Sequence, residues 1–340
     1  MPLQPVALAL ITVADAFVTS ALPAHARNPS LRRYPRPGTA MKRRAALCSA
    51  LLLCLSAIAL PAAAEGGQCA PIKIFGEGVI SRPGNNWESR ITLSPDRNLA
   101  LWTVGNGFAG EQLVILVSEY RRGGWSEPVV APFSGIYDDV DTVFSPDGKT
   151  IYFSSKRPLQ PGGQPLEFFD LWKMSYSDAR GFGQPRHLGA GPNSAADELY
   201  PSIDRHGNLY YGSNRDNEQW DVWRSARRPD GSFGPAVKLS TAVNTADYWE
   251  YNPEISPDGK TLLFASLSRP GGYGWGDIYR SDARRGAFQP ARNLGPCVNS
   301  NADDYHPTML WEENRLIWIR NFIEDPDWFP DFFIARYKLD

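Results

Sequence analysis

Five carboxylates recur at one fixed distance from a turn. The Gly of Ser-Pro-Asp-Gly (Gly148, Gly259) and its counterparts Arg97, Gly207 and Glu313 serve as anchors. An acid stands nine residues before each: Glu88, Asp139, Glu198, Glu250 and Asp304. If these acids ring the mouth of one channel, their charges repel unless something offsets them. Backbone N–H groups from a neighbouring unit would do so. So would a cation, and Ca²⁺ suits an all-oxygen cage. Two residues further on, the column stops repeating and reads Arg90, Asp141, Tyr200, Asn252 and His306. On extended backbone the two columns share a side. A guanidinium, an acid, a phenol, an amide and an imidazole at one mouth form the kind of polar set that orients a small ligand; the alternative is an ordinary solvated rim. On the ligand reading, Arg90→Ala and His306→Ala weaken binding and leave thermal stability nearly unchanged.

Aromatic residues flank both columns: Trp87, Tyr137, Tyr248, Trp249 and Tyr305 beside the acids, and Phe108, Phe168, Phe169, Trp220, Tyr273, Trp275, Trp328 and Phe329 in later loops. Rings beside carboxylates can stack on sugars, hold a cation or grip a peptide; they can equally pack unit against unit. Asp170, Asp221, Asp277 and Asp331 repeat alongside Arg157, Arg215, Arg269 and Arg320, which suggests one structural ion pair per unit. Motifs of hydrolase nucleophiles, zinc peptidases and phosphate loops are missing from the sequence. Gly272-Tyr-Gly-Trp-Gly276 falls in a loop and carries no nucleotide signature.

The anchors lie roughly fifty to sixty residues apart, slightly beyond the usual propeller repeat. Each copy runs from an acid into the turn, then into an alternating strand such as Lys260–Ser266, then to Asp-Ile-Tyr or its equivalent, and closes on a segment such as Phe288–Gly295. That is four short strands per unit, the pattern of a propeller blade. The last copy lacks a fourth strand, and Ala70–Ser81 matches the missing one when aligned with Gln289–Ser300. The fold expected is all-β: a β-propeller of five four-stranded blades, with six possible, closed by the N-terminal strand so that no sheet edge stays open.

The Ser-Pro-Asp-Gly turn, the Asp-[Ile/Val]-[Tyr/Trp] strand and the Pro-x-x-Leu-Gly closure resemble the WD-repeat-like propeller repeat of TolB-like periplasmic proteins, over roughly Cys69–Asp340. The first, third and fifth copies depart from the turn consensus. The resemblance implies the fold and leaves the activity open. It fits a binding or scaffold module for a protein, peptide or glycan. The alternative is a carbohydrate-active enzyme, a glycoside hydrolase or lyase, working with carboxylates at the same mouth.

Met41–Ala64 combines a basic start, an apolar run and a small-residue end, the pattern of a secretory signal peptide. Residues 1–40 then read as a mis-called extension, residues 65–340 as one exported domain, periplasmic or secreted, and Glu65 as the mature N-terminus. A formal net charge of −2 offers no basic stripe for nucleic acid. No membrane span is expected in the mature chain, and a monomer is. Cys69 and Cys297 could pair in an oxidising compartment. The blade alignment instead sets them at opposite ends of a strand, about 20 Å apart. A bridge needs about 7 Å or less, so the expectation is that they do not pair.

Overall fold

The computed structural model describes residues 69–82, 87–105, 112–216, 219–322 and 330–338. The signal-like segment, the extension before it, Glu65, Phe108, Trp328 and Phe329 lie outside the described residues. From Cys69 onward the chain forms one compact unit of five antiparallel sheets, a five-bladed propeller. Every blade begins with the strand that carries the acid: Trp87–Leu93, Asp139–Phe144, Glu198–Ile203, Trp249–Ile255 and Asp303–Leu310. Second and third strands follow as hairpins, and short outer strands complete the sheet. The fifth blade takes its outer strand, Lys73–Ile74, from the other end of the chain, with Lys73 opposite Ile334 and Ile74 opposite Phe333. Lys73–Ile74 aligns with Arg292–Asn293, the outer strand of the fourth blade.

The turn after each first strand is built by its own residues. In the second blade Ser145 Oγ donates to Asp147 (2.6 Å) and accepts from the N–H of Thr150 (3.0 Å), while Gly148 N–H returns to the carbonyl of Ser145 (2.8 Å). The anchor sits in the left-handed region, with φ of 69° at Gly148 and 72° at Gly259, which glycine adopts without a Cβ clash. Arg97 takes the same conformation in the first blade, and Asn314 does so in the last, one residue past the anchor Glu313.

Blades are joined by apolar faces and by a repeated amide clamp. Asn193, Asn244 and Asn299 each accept the N–H of a third-strand residue (Leu171, Val222, Ile278) through Oδ1 at 2.8 Å and donate back to its carbonyl. At the closing seam Ile91, Leu93 and Trp102 of the first blade pack with Ile80, Ile317, Phe332 and Ile334. The ring is therefore closed by buried side chains as well as by the two-residue ladder.

Cys69 and Cys297 are disulfide-bonded, Cα to Cα 5.2 Å, which corrects the expectation that they stay apart. The two belong to different blades. Cys297 lies in the crossing from the fourth blade to the fifth, and that crossing packs through Leu294 and Val298 on Phe333, in the strand that Lys73–Ile74 joins. Residues 69–72 are outside any strand, so strand rise does not set their reach. The bond ties the closing strand to a crossing 228 residues away in sequence. Replacing both cysteines with serine is expected to lower the unfolding free energy by about 2–5 kcal/mol. Urea melts of the oxidised parent and the variant measure this, and coincident melts would mean that the bond adds nothing to closure.

Candidate functional site

All five recurring acids are buried. Three are bound by the crossing that arrives from the preceding blade: Glu198 by Ser194 N–H (2.9 Å), Glu250 by Thr245 N–H (2.7 Å) and Asp304 by Ser300 N–H (2.6 Å). Four also hold an arginine of their own blade: Asp139–Arg157 (2.5 Å), Glu198–Arg215 (2.8 Å), Glu250–Arg269 (3.9 Å) and Asp304–Arg320 (2.7 Å). The arginines were expected to pair with Asp170, Asp221, Asp277 and Asp331. Register does not separate the two columns, because the end of the second strand lies between them, as with Arg320 opposite both Asp304 and Asp331; the guanidinium groups turn to the first-strand acids. The other aspartates have different partners: Asp170 bonds His187 (2.7 Å), Asp221 bonds Lys238 (2.6 Å) and Asp277 accepts from Tyr273 N–H (2.8 Å). Glu88 is the exception in its column. Burial first, then Asp331, pushes its carboxyl up to about 9. Among the described residues, no group of three or more His, Cys, Asp or Glu is arranged to hold a metal ion.

The second column does not share the acids' side. Every first strand breaks register at this point, as between Leu199 and Ser202 or between Tyr305 and Thr308. Asp141, Tyr200, Asn252 and His306 are left-handed there, with φ of 57°, 61°, 50° and 50°. A bulge of this kind re-aims a side chain. For a residue with a Cβ it costs of order 1–3 kcal/mol, and such strain collects at functional sites. The bulges bring the column together across blades. Tyr200 N–H donates to Asp141 (3.3 Å), His306 N–H donates to Asn252 (3.3 Å), and the His306 ring sits edge-on to Tyr200 (5.2 Å). His306 Nε2 meets Ser89 Oγ at 2.8 Å, and Arg90 reaches Glu254 at 2.9 Å and the carbonyl of Pro253 at 3.2 Å.

Arg90, Asp141, Asn252 and His306 are 1, 1, 0 and 3 % exposed; Tyr200 keeps part of its surface in solvent. Burial pushes the Asp141 carboxyl up to about 7, against the pull of Arg90. Burial and then Arg90 hold His306 well below the usual imidazole range, so it is neutral. Tyr200 is raised far above the usual phenol value, mainly by burial. Four buried atoms of the cluster have no hydrogen-bond partner in the protein: Arg90 Nε, Asp141 Oδ1, Asn252 Nδ2 and His306 Nδ1. Ser89 and His306 do not form a nucleophile triad with Asp141. That arrangement needs the acid on the far imidazole nitrogen, whereas His306 Nδ1 is unpartnered and Asp141 accepts from Tyr200 N–H.

Glu254 and Ser89 complete the cluster. Glu254 was legible in principle: five residues before the anchor the other copies place Thr92, Val143, Ser202 and Thr308, and only Glu254 is ionisable. It accepts from Arg90, from Ser202 Oγ (3.3 Å) and from Met309 N–H (3.4 Å). It lies in the lining of a cavity of about 420 Å³ that opens among the anchor turns. Removing Arg90 alone would leave Glu254 buried without its counter-charge, a loss of about 3–5 kcal/mol. Arg90 is thus structural as well, and His306 is the cleaner probe. Of the aromatic residues, Phe169 and Tyr305 are core, while Tyr273 and Trp275 are 47 and 50 % exposed.

No protein-family model and no curated protein matches this sequence. Solved structures do. One, a complex of BT0996 and RGII, superposes with a TM-score of 0.54 at 10 % identity, covering 80 % of this protein and 92 % of that one. A putative TolB from Agrobacterium tumefaciens gives 0.48 at 14 % identity over 75 % and 91 %. A puromycin-hydrolyzing peptidase of Mycobacterium tuberculosis gives 0.40 at 12 % over 71 % of this protein and 35 % of that one, so the match spans about a third of that enzyme. At these identities the likeness is one of fold.

Asp141 supplies a pH test. Its carboxyl titrates near 3.9 in an unfolded chain and at about 7 here. The folded state keeps a proton that the unfolded state has lost. The stability this contributes is fully present below about pH 4 and is lost as pH rises through 7, with a slope of at most about 1.4 kcal/mol per pH unit. Asp141→Asn should therefore gain stability over the parent between pH 5 and pH 8 in urea melts. A constant difference across that range would place Asp141 in a different environment.

Proposed function

We propose that this chain is an exported, TolB-like propeller that acts as a binding module, seating the polar end of a protein, peptide or glycan ligand at the ring centre. One observation carries the reading. Four buried side chains from four blades each keep a polar atom that the protein does not satisfy, in a region where three hold strained backbone. Buried polar groups in proteins are almost always paired; unpartnered ones such as Trp102 Nε1 and Arg224 Nε also occur elsewhere in this ring, and what sets these four apart is that they converge from four blades. Tyr200 and Tyr251 stand at the same place with part of their surface in solvent. Export is supported by the signal-like Met41–Ala64 and by the disulfide, a bond characteristic of oxidising compartments. Among the described residues no helix is long and apolar enough to cross a membrane.

A carbohydrate-active enzyme is the second reading. It is favoured by Asp141 and Glu254, two carboxyl groups that burial raises and that share Arg90. Such shifts suit acid–base work.

A peptide and glycan screen on the exported protein, with products monitored in the same wells, tests both. Binding without turnover is expected, weakened at least tenfold by His306→Asn. Turnover abolished by Asp141→Asn would favour the enzyme, and ligand binding indifferent to His306 would move the site elsewhere. Ca²⁺ and EDTA belong in the same screen. With an arginine on four of the acids, neither should move the melting temperature, and a rise with Ca²⁺ would put a cation on the acidic ring.

A further inference from the structure

Four blades seat an arginine of their own, and the first blade repeats the seat without the arginine. In the second, third and fifth blades the seat has the same three walls. One is the buried acid. Another is an aromatic ring, two residues before the residue opposite that acid: Arg157 lies over Phe153 (4.8 Å), Arg215 over Tyr211 (5.7 Å) and Arg320 over Trp318 (5.7 Å). The last is the carbonyl six residues before the acid, at Phe133, Pro192 and Val298, which accepts from the same guanidinium.

In the first blade the acid is Glu88, opposite Val104, so the ring position is Trp102 and the carbonyl position is Arg82. These three residues border one cavity of about 100 Å³, with Ile80, Val104 and Leu116 as its apolar wall. Residues 98–120, which run from the anchor turn almost to the end of the third strand, contain no lysine or arginine. Glu88 is 2 % exposed, and its Oε2 has no hydrogen-bond partner. Arg82 is engaged at the rim, donating to Glu127 (2.7 Å) and to the carbonyl of Val79 (3.1 Å). Glu127 also lines the cavity and is exposed, so the cavity meets solvent there. Asp331 lies in the field of Glu88, and Glu77 in the field of Asp331, so the surroundings are acidic.

We infer that this cavity receives a guanidinium from outside the chain, the head of an arginine side chain on a peptide or protein partner, seated between Glu88 and Trp102. The class follows from the other blades. A guanidinium is flat enough to lie on a ring and forked enough to reach a carboxylate and a carbonyl together, whereas an ammonium is a point charge. The site is separate from the ring centre and does not depend on it. At neutral pH Glu88 holds a proton, through burial and then Asp331, with Arg82 pulling the other way. The entering cation displaces that proton to solvent, so binding strengthens as pH rises towards about 9, by up to about tenfold per pH unit.

The test is calorimetric titration of the full exported chain at pH 7, 8 and 9. The probes are N-acetyl-arginine amide, its lysine analogue, peptides carrying one arginine or one lysine, and Ca²⁺. The variants are Glu88→Gln, which keeps the shape and removes the charge, and Val104→Arg, which sets an arginine opposite Glu88 as Arg320 stands opposite Asp304. Melting curves confirm that each is folded. Arginine peptides are expected to bind at least tenfold more tightly than lysine peptides and than N-acetyl-arginine amide. Affinity should rise with pH, and each variant should weaken it at least tenfold. Equal affinity for the peptides and the amide would overturn the partner as the source and keep the guanidinium seat. Lysine or Ca²⁺ binding as tightly as arginine would overturn the guanidinium assignment. Arginine binding unchanged in both variants, or no binding by any probe, would overturn the seat and leave the ring-centre reading untouched, since neither Glu88 nor Val104 belongs to that cluster.

Discussion

A carboxylate removed from water needs donors on all sides, and in this ring the donors come from separate pieces of chain. Glu198 is held at once by Ser194 in the incoming crossing, by Ser213 in the next strand and by Arg215 beyond it. Glu250 and Asp304 repeat the arrangement with Thr245, Ser266 and Arg269, and with Ser300 and Arg320. The buried acid thus fixes where the chain enters each of these three blades. The bulge comes two residues later, so its position is set by the same anchor. The side chains that meet at the centre are placed by the repeat even though they do not repeat themselves.

This division explains what the sequence disclosed. The period, the turn and the closing strand were legible because glycine at a left-handed turn and alternating apolar strands leave a composition signal, and because Lys73–Ile74 sits in the same frame as Arg292–Asn293. The convergence of Arg90, Asp141, Tyr200, Asn252 and His306 followed from a constant offset. The bulges were not legible. Tyrosine gives no composition sign of a positive φ, and aspartate, histidine and asparagine give a weak one. The arginine partners were mistaken because Arg320 and its counterparts lie between two acidic columns in the ladder, and spacing along the chain does not tell which one the guanidinium takes. The disulfide was missed because two cysteines were placed in one blade frame although they occupy neighbouring blades.

The two ends of the channel differ in kind. At the anchor-turn end the cavity beside Glu254 has a floor whose hydrogen bonds are met by Arg90, Ser202 and Met309. The cluster deeper along the first strands keeps unmet donors and acceptors. Size alone would favour the former as a binding site, and unsatisfied chemistry favours the latter. Arg90 links the two layers, with one nitrogen on Glu254 and another unpartnered, so a change at either layer is felt by the same guanidinium.

The closing ladder pairs Lys73 with Ile334 and Ile74 with Phe333, and the covalent tie spans 228 residues. A ribosome makes chain from one end only. The strand that completes the circle is therefore among the first of the propeller to emerge, and its partner is among the last. Throughout synthesis Cys69 must wait with its thiol unclaimed while four blades are laid down, and the growing arc carries an open sheet edge at each end until the final strand arrives.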